Sequence, residues 1–96
     1  MFKKYRVGDI IFLYNMYDIQ EYFTISEVEI FEIIGYDKNG YNVVVYKSYE
    51  KYDEEKPTVM YMYETSKNRK DMKNCLLAKK IKKSELFYFL FNDELV

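Results

Sequence analysis

The residues of this chain specify an all-β fold, a small five-stranded antiparallel sheet or barrel with a short C-terminal helical turn. Three observations lead there. Rings make up 20% of the 96 residues, with 12 Tyr, 7 Phe and no Trp, and aromatic and β-branched side chains fit the half-buried surface of a sheet. Apolar residues reach 49%, far above the level at which a chain fails to order itself. Several segments alternate apolar and polar side chains with period two between turn signals. At this length one core is available, so residues 1–96 are read as a single β-rich domain.

The elements follow in chain order. Val7-Gly8-Asp9 reads as a turn into a first strand, Ile10-Ile11-Phe12-Leu13-Tyr14. The segment from Thr24 to Gly35 offers a helical reading, with Thr24 and Glu27 as a capping box and Gly35 as terminator. A helical projection, however, scatters Val28, Ile30, Phe31, Ile33 and Ile34 around the cylinder and leaves no polar face. Strand is the better reading, because Asn39-Gly40 carries the signature of a tight type I′ hairpin. Folding there sets Lys38 opposite Tyr41, Tyr36 opposite Val43, Ile34 opposite Val45, Glu32 opposite Lys47 and Ile30 opposite Tyr49. The returning strand runs to about Tyr52 and ends in the polar loop Asp53-Glu54-Glu55-Lys56-Pro57. Thr58 to Glu64 alternates again and completes a meander. A basic connector leads to a fifth strand over Cys75 to Lys82, and Ser84 is a candidate N-cap for a final helical turn through Phe91.

Five short strands, a long first connection, a central meander and a late helical turn resemble the small Src-homology-type barrel. The opening Tyr5-Arg6-Val7-Gly8-Asp9-Ile10-Ile11 looks like the glycine-aspartate turn that leads into the first strand of such barrels. The resemblance implies the topology. It does not carry over the proline-peptide groove of that family, whose paired-tyrosine and tryptophan signature has no Trp here.

Composition removes much chemistry. Histidine is absent, and with it the side chain that titrates near neutrality and ligates metals most often. Cys75 stands alone, which excludes an intramolecular disulfide and a thiolate cluster and points to a reducing, cytoplasmic setting. No neighbouring base activates Cys75, Ser or Thr as a nucleophile, and Gly8, Gly35 and Gly40 lie too far apart for a phosphate loop. Glu27 with Glu29, and Asp53 with Glu54 and Glu55, read as a solvated strand face and a solvated turn. No catalytic residue, metal site or cofactor is therefore assigned. The N-terminus lacks a leader pattern, and no stretch approaches the roughly 18 apolar residues of a spanning helix, so no membrane is expected. Thirteen Lys against 2 Arg, with abundant Asn, Ile and Tyr, fit an AT-rich genome such as that of a low-GC bacterium or its phage.

Charge is the most informative functional signal. Residues 1–64 hold 7 basic and 12 acidic side chains, net −5, whereas residues 65–96 hold 8 and 4, net +4. The eight bases are Lys67, Arg69, Lys70, Lys73, Lys79, Lys80, Lys82 and Lys83, opposed within that run only by Asp71. Such a run can neutralise phosphates or an acidic protein face. It can equally guard an edge strand against pairing and solvate a connector. Tyrosines on the neighbouring strands, Tyr46, Tyr49, Tyr52, Tyr61 and Tyr63, suit stacking on unpaired bases or contact with a protein, or else simply fill the core rim. The apolar run from Leu86 to Phe91, with Leu86, Phe87, Phe89 and Phe91, is a candidate homodimer interface.

The sequence thus points to a non-enzymatic module that binds an acidic partner, either nucleic acid or a protein complex that handles it. A phage-encoded inhibitor of a host defence complex, of the anti-CRISPR kind, has this profile. Two alternatives stand beside it: an assembly protein that oligomerises through its C-terminal apolar segment, and a small-nucleotide-binding protein or enzyme.

Overall fold

The computed structural model describes residues 4–19, 23–53 and 55–91. Glu54, counted above in the acidic loop, lies outside them. Five strands, β1 (Ile10–Ile19), β2 (Phe23–Tyr36), β3 (Gly40–Tyr52), β4 (Thr58–Asn68) and β5 (Leu77–Ile81), form one antiparallel sheet in the order β4-β3-β2-β1-β5. Two helices join them, α1 (Arg69–Lys73) between β4 and β5 and α2 (Lys83–Phe91) after β5. The sheet expected from the alternation is therefore present. The described strand pairs include none between the two edge strands β4 and β5.

Alternation along each strand sends apolar side chains to both faces, and each face has its own core. Ile11, Leu13, Phe31, Ile33, Tyr41, Val43 and Val45 meet Tyr5 and Met72 on the side covered by α1. Ile10, Phe12, Val28, Ile30 and Ile81 meet Leu86 of α2 on the other. The sheet is thus covered on both faces, which is why the segment from Val28 to Ile34 shows so little polar face.

The opening turn forms as the sequence indicates. Asp9 N–H bonds the Arg6 carbonyl (3.0 Å), the Asp9 carboxylate accepts from the Arg6 N–H (2.8 Å), and Gly8 adopts φ +96. That left-handed φ is the reason for glycine at this position.

The central hairpin exists, but its turn and register differ from the expectation. The pairs are Tyr36 with Tyr41, Ile33 with Val43, Phe31 with Val45, Ile30 with Lys47 and Val28 with Tyr49. Lys38 and Asn39 are the central turn residues, and neither they nor Gly40 has positive φ. The Asp37 carboxylate decides the matter by accepting from the N–H groups of Asn39 (2.8 Å) and Gly40 (2.7 Å). Register shifts at Ile30/Phe31 and Ile33/Gly35 leave Tyr46 and Ile34 as extra residues. Gly40 has a different purpose from a turn glycine: a Cβ there would collide with the backbone carbonyl of Lys67 on β4.

The connector is more ordered than its composition promised. Asn68 caps α1, its side-chain oxygen accepting from the Lys70 N–H (2.8 Å), and the short helix pushes Met72 into the α1-side core. At α2 the helix begins at Lys83, so Ser84 is inside it rather than at its cap. Glu85 closes the start instead, its carboxylate accepting from the Lys82 N–H (3.1 Å) while its own N–H bonds the Lys82 carbonyl (2.9 Å). The final element spans nine residues, longer than a single turn.

Candidate anion-binding pocket on the α1 face

Three segments distant in sequence converge beside α1. The N-terminal segment brings Lys4 and Tyr5, the start of β3 brings Tyr41, and α1 brings Arg69, Met72 and Lys73; together these line a cavity of about 340 Å³. Tyr5 is clamped by two hydroxyls: its N–H donates to Tyr41 Oη (3.4 Å), and Tyr36 Oη donates to its carbonyl (3.3 Å). The Tyr5 and Tyr41 rings pack at 5.8 Å with a tilt of 58°. This clamp carries Lys4 to the rim, where its ammonium lies 5.4 Å from the Tyr5 ring centroid. The Arg69 guanidinium lies over the Tyr41 ring at 5.8 Å. Both contacts are within cation–π range. Among the described residues the lining therefore comprises three cations, two tyrosines and one methionine, with no acid.

Met72 also borders a second, polar groove of about 510 Å³. Glu27, Glu29, Asp71 and Lys67 lie along it with Asn15, Ser66, Asn68, Asn74 and Cys75. Lys67 reaches across the α1 face to Glu29 at 2.5 Å, over the ring of Phe31. The groove thus keeps a negative balance. Burial, then the nearby Glu27 and Glu29, raises the Cys75 thiol above its ordinary value, which opposes thiolate reactivity. Among the described residues no group of three or more His, Cys, Asp or Glu is placed to hold a metal ion.

The lysine-rich stretch divides into two groups. Arg69 and Lys73 join the pocket, Lys70 is exposed on α1, and Lys67 is committed to Glu29. Lys79 and Lys80 lie on the opposite edge strand, β5, and Lys82 and Lys83 at the start of α2. Lys80 lies 3.4 Å from Asp9. The edge lysines match the guarding pattern of an exposed strand.

The tyrosines divide as well. Tyr63 packs against the α1-side core, whereas Tyr46 and Tyr49 pack on the α2 side. Tyr61 is exposed beside the ammonium of Lys47 (5.9 Å), and Tyr52 is partly exposed. Hydrogen bonding to Glu50 raises the Tyr52 phenol above its usual value. Tyr46 donates to Glu32 at 2.5 Å, and that bond, then burial, pushes its phenol up to about 12.

In the C-terminal run, Leu86 is buried and Phe89 stacks on Phe12 at 4.8 Å, while Phe87, Tyr88 and Phe91 remain exposed. Sequence reasoning missed Lys4, Tyr5, Tyr41 and Met72 as site residues. Only tertiary packing brings them to Arg69 and Lys73, although Tyr5 beside the opening turn was a usable signal. Comparison with protein-family models, curated proteins and solved structures gave no match.

Proposed function

We propose that this chain is a non-enzymatic binding module that takes an acidic partner, a nucleic acid or a protein that handles one, on its α1 face. One observation carries the reading: Lys4, Arg69 and Lys73 converge on an apolar floor of Tyr5, Tyr41 and Met72, with no acid among the described residues of the lining. Bringing like charges together costs free energy that an anionic partner offsets, and a preformed concave site with a few polar groups is what specific recognition uses. Lysine predominates over arginine in the surrounding stretch, which favours electrostatic contact over the reading of base edges. Inhibition of a host defence complex by a phage-encoded protein remains the finer form of this proposal, resting on size, composition and the absence of histidine.

The test is an anisotropy titration with a labelled oligonucleotide and a labelled oligo-glutamate peptide, each at about 50 and 200 mM salt. Binding of at least one, weakened by salt and by the double substitution Lys4→Gln, Lys73→Gln, is the expected result. Salt-insensitive binding, or affinity untouched by the double substitution, refutes the proposal.

A second reading, assembly through α2, draws on the exposure of Phe87, Tyr88 and Phe91, the last at 81%. The informative variant is Phe87→Glu with Phe91→Glu, because Phe89 is already used against Phe12. A multiple of the chain mass in light scattering that falls to the monomer mass in this variant supports assembly. A monomer in both forms excludes it.

A further inference from the structure

We infer that the α1-face pocket accepts one unpaired nucleotide of a single strand, its base on the Arg69 guanidinium above the Tyr5, Tyr41 and Met72 floor and its phosphate beside Lys4 and Lys73. This inference rests on the reading of that pocket as the anion-binding site. The cavity, about 340 Å³, is at the lower end of the volumes that hold small ligands, roughly 300–1,000 Å³. It suits one flat moiety with one charged group rather than a duplex, whose bases are already stacked and paired.

The floor and rim ask for different chemistry in one ligand. Tyr5, Tyr41 and Met72 are almost wholly buried and form the apolar bottom of the cavity, while the guanidinium lying over the Tyr41 ring is the planar cation on which a base can stack. Three cations at the rim match a phosphodiester and its neighbour better than a single carboxylate. An acidic side chain is short and brings no flat apolar body to cover the floor, so an acidic peptide satisfies the rim alone. Nucleotide chemistry satisfies both.

The surroundings also give the strand a direction. Across Met72 the groove containing Glu27, Glu29 and Asp71 repels further phosphates, whereas Lys70 is an exposed cation on the same helix as Arg69 and Lys73. Continuing phosphates are therefore kept off the acidic side. With stacking and charge as the contacts, binding is tolerant of sequence.

The experiment titrates the full chain with oligothymidylate of about eight nucleotides, within the span covered by small single-strand-binding folds. The same sequence as a duplex, thymidine monophosphate and oligo-glutamate are the comparison probes. The expected result is single-strand affinity about tenfold or more above duplex affinity, the size of effect that one lost stacking contact represents. Lys4→Gln and Lys73→Gln should each reduce the log–log salt slope by about 0.7, while Lys79→Gln on β5 leaves it unchanged. Equal or tighter duplex binding overturns the inference, as does an equal loss in Lys79→Gln. Thymidine monophosphate binding as tightly as the oligomer overturns the single-strand assignment in favour of a free nucleotide. Oligo-glutamate binding that depends on Lys4 and Lys73, without oligonucleotide binding, refutes this inference and leaves the broader reading standing. Absence of binding to every probe refutes both.

Discussion

Lys47 offers the sharpest test of how the α2 side is held. It sits on β3 with only 4% of its surface exposed, and its ammonium donates to the Leu90 carbonyl of α2 at 3.2 Å. The last turn of α2 contains no basic residue of its own, so a cation from the sheet supplies the charge that a helix C-terminus favours. Replacing Lys47 by Met retains most of the buried stem and removes the ammonium. The Leu90 carbonyl then loses this donor, a cost of about 1–3 kcal/mol, and the helix end loses about 0.3–1 kcal/mol of charge–dipole attraction. The cation–π contact with Tyr61 adds about 0.5–1 kcal/mol. Against these stands relief from burying an ammonium, which in some proteins makes the apolar replacement neutral or stabilising. The lysine here is hydrogen-bonded and ring-flanked, so the balance is a net loss of about 1–2 kcal/mol. For a domain of this size that lowers Tm by about 4–16 °C. Thermal unfolding followed by circular dichroism measures the shift, and hydrogen exchange should show α2 amides losing protection before those of β2. A Lys47→Met protein as stable as the parent, or more so, refutes the claim that the ammonium anchors α2.

Other positions give independent checks. Gly40→Ala forces a methyl into the Lys67 carbonyl, and backbone displacement of this kind costs about 1–3 kcal/mol or more; denaturant unfolding should show it, and an unchanged midpoint contradicts the close approach of β4. Gly8→Ala meets open space but keeps a φ of +96, so its cost is backbone strain of about 1–2 kcal/mol, without a change in the β3–β4 contacts seen by NMR. Tyr46 has a pKa raised from 10.0 to about 12 in the folded protein, which means that folding favours the neutral phenol. That contribution is complete below about pH 10 and is lost as pH rises through about 12. Wild type should therefore lose more stability than Tyr46→Phe over this interval, and parallel curves would contradict the assignment.

Much of the sheet was legible because period-two alternation reports directly on burial. Thr24 to Gly35 read as a strand despite a plausible capping box, since no helical face could be polar. The register was not legible, for two local reasons. Asp37 holds the turn with its own carboxylate, so Asn39-Gly40 never needs the left-handed pair that its sequence suggests. Bulges at Ile34 and Tyr46 then shift the pairing again, and period two carries no mark of an extra residue. Lys47 shows the consequence: expected opposite Glu32, it pairs with Ile30 and turns in under α2, while Glu32 takes the Tyr46 hydroxyl instead.

The candidate site was half legible. Charge asymmetry pointed to the stretch containing Arg69 and Lys73, both of which line the pocket. The same stretch also held Lys67, tied to Glu29, and Lys79 and Lys80 on the far edge strand. Linear charge density cannot distinguish these roles, because it does not know that a five-residue helix separates them. Met72 was hidden for the same reason, a lone apolar residue among bases that looks solvated until the helix turns it inward.

The five methionines make the central claim directly observable. Met72 lines the pocket, while Met60 and Met62 are exposed on β4. Methyl-labelled methionine spectra recorded during titration with a single-stranded oligonucleotide should show the Met72 signal moving in a salt-sensitive manner while the β4 signals stay in place. Movement of Met60 and Met62 with a stationary Met72 would put the partner on another surface and contradict the account.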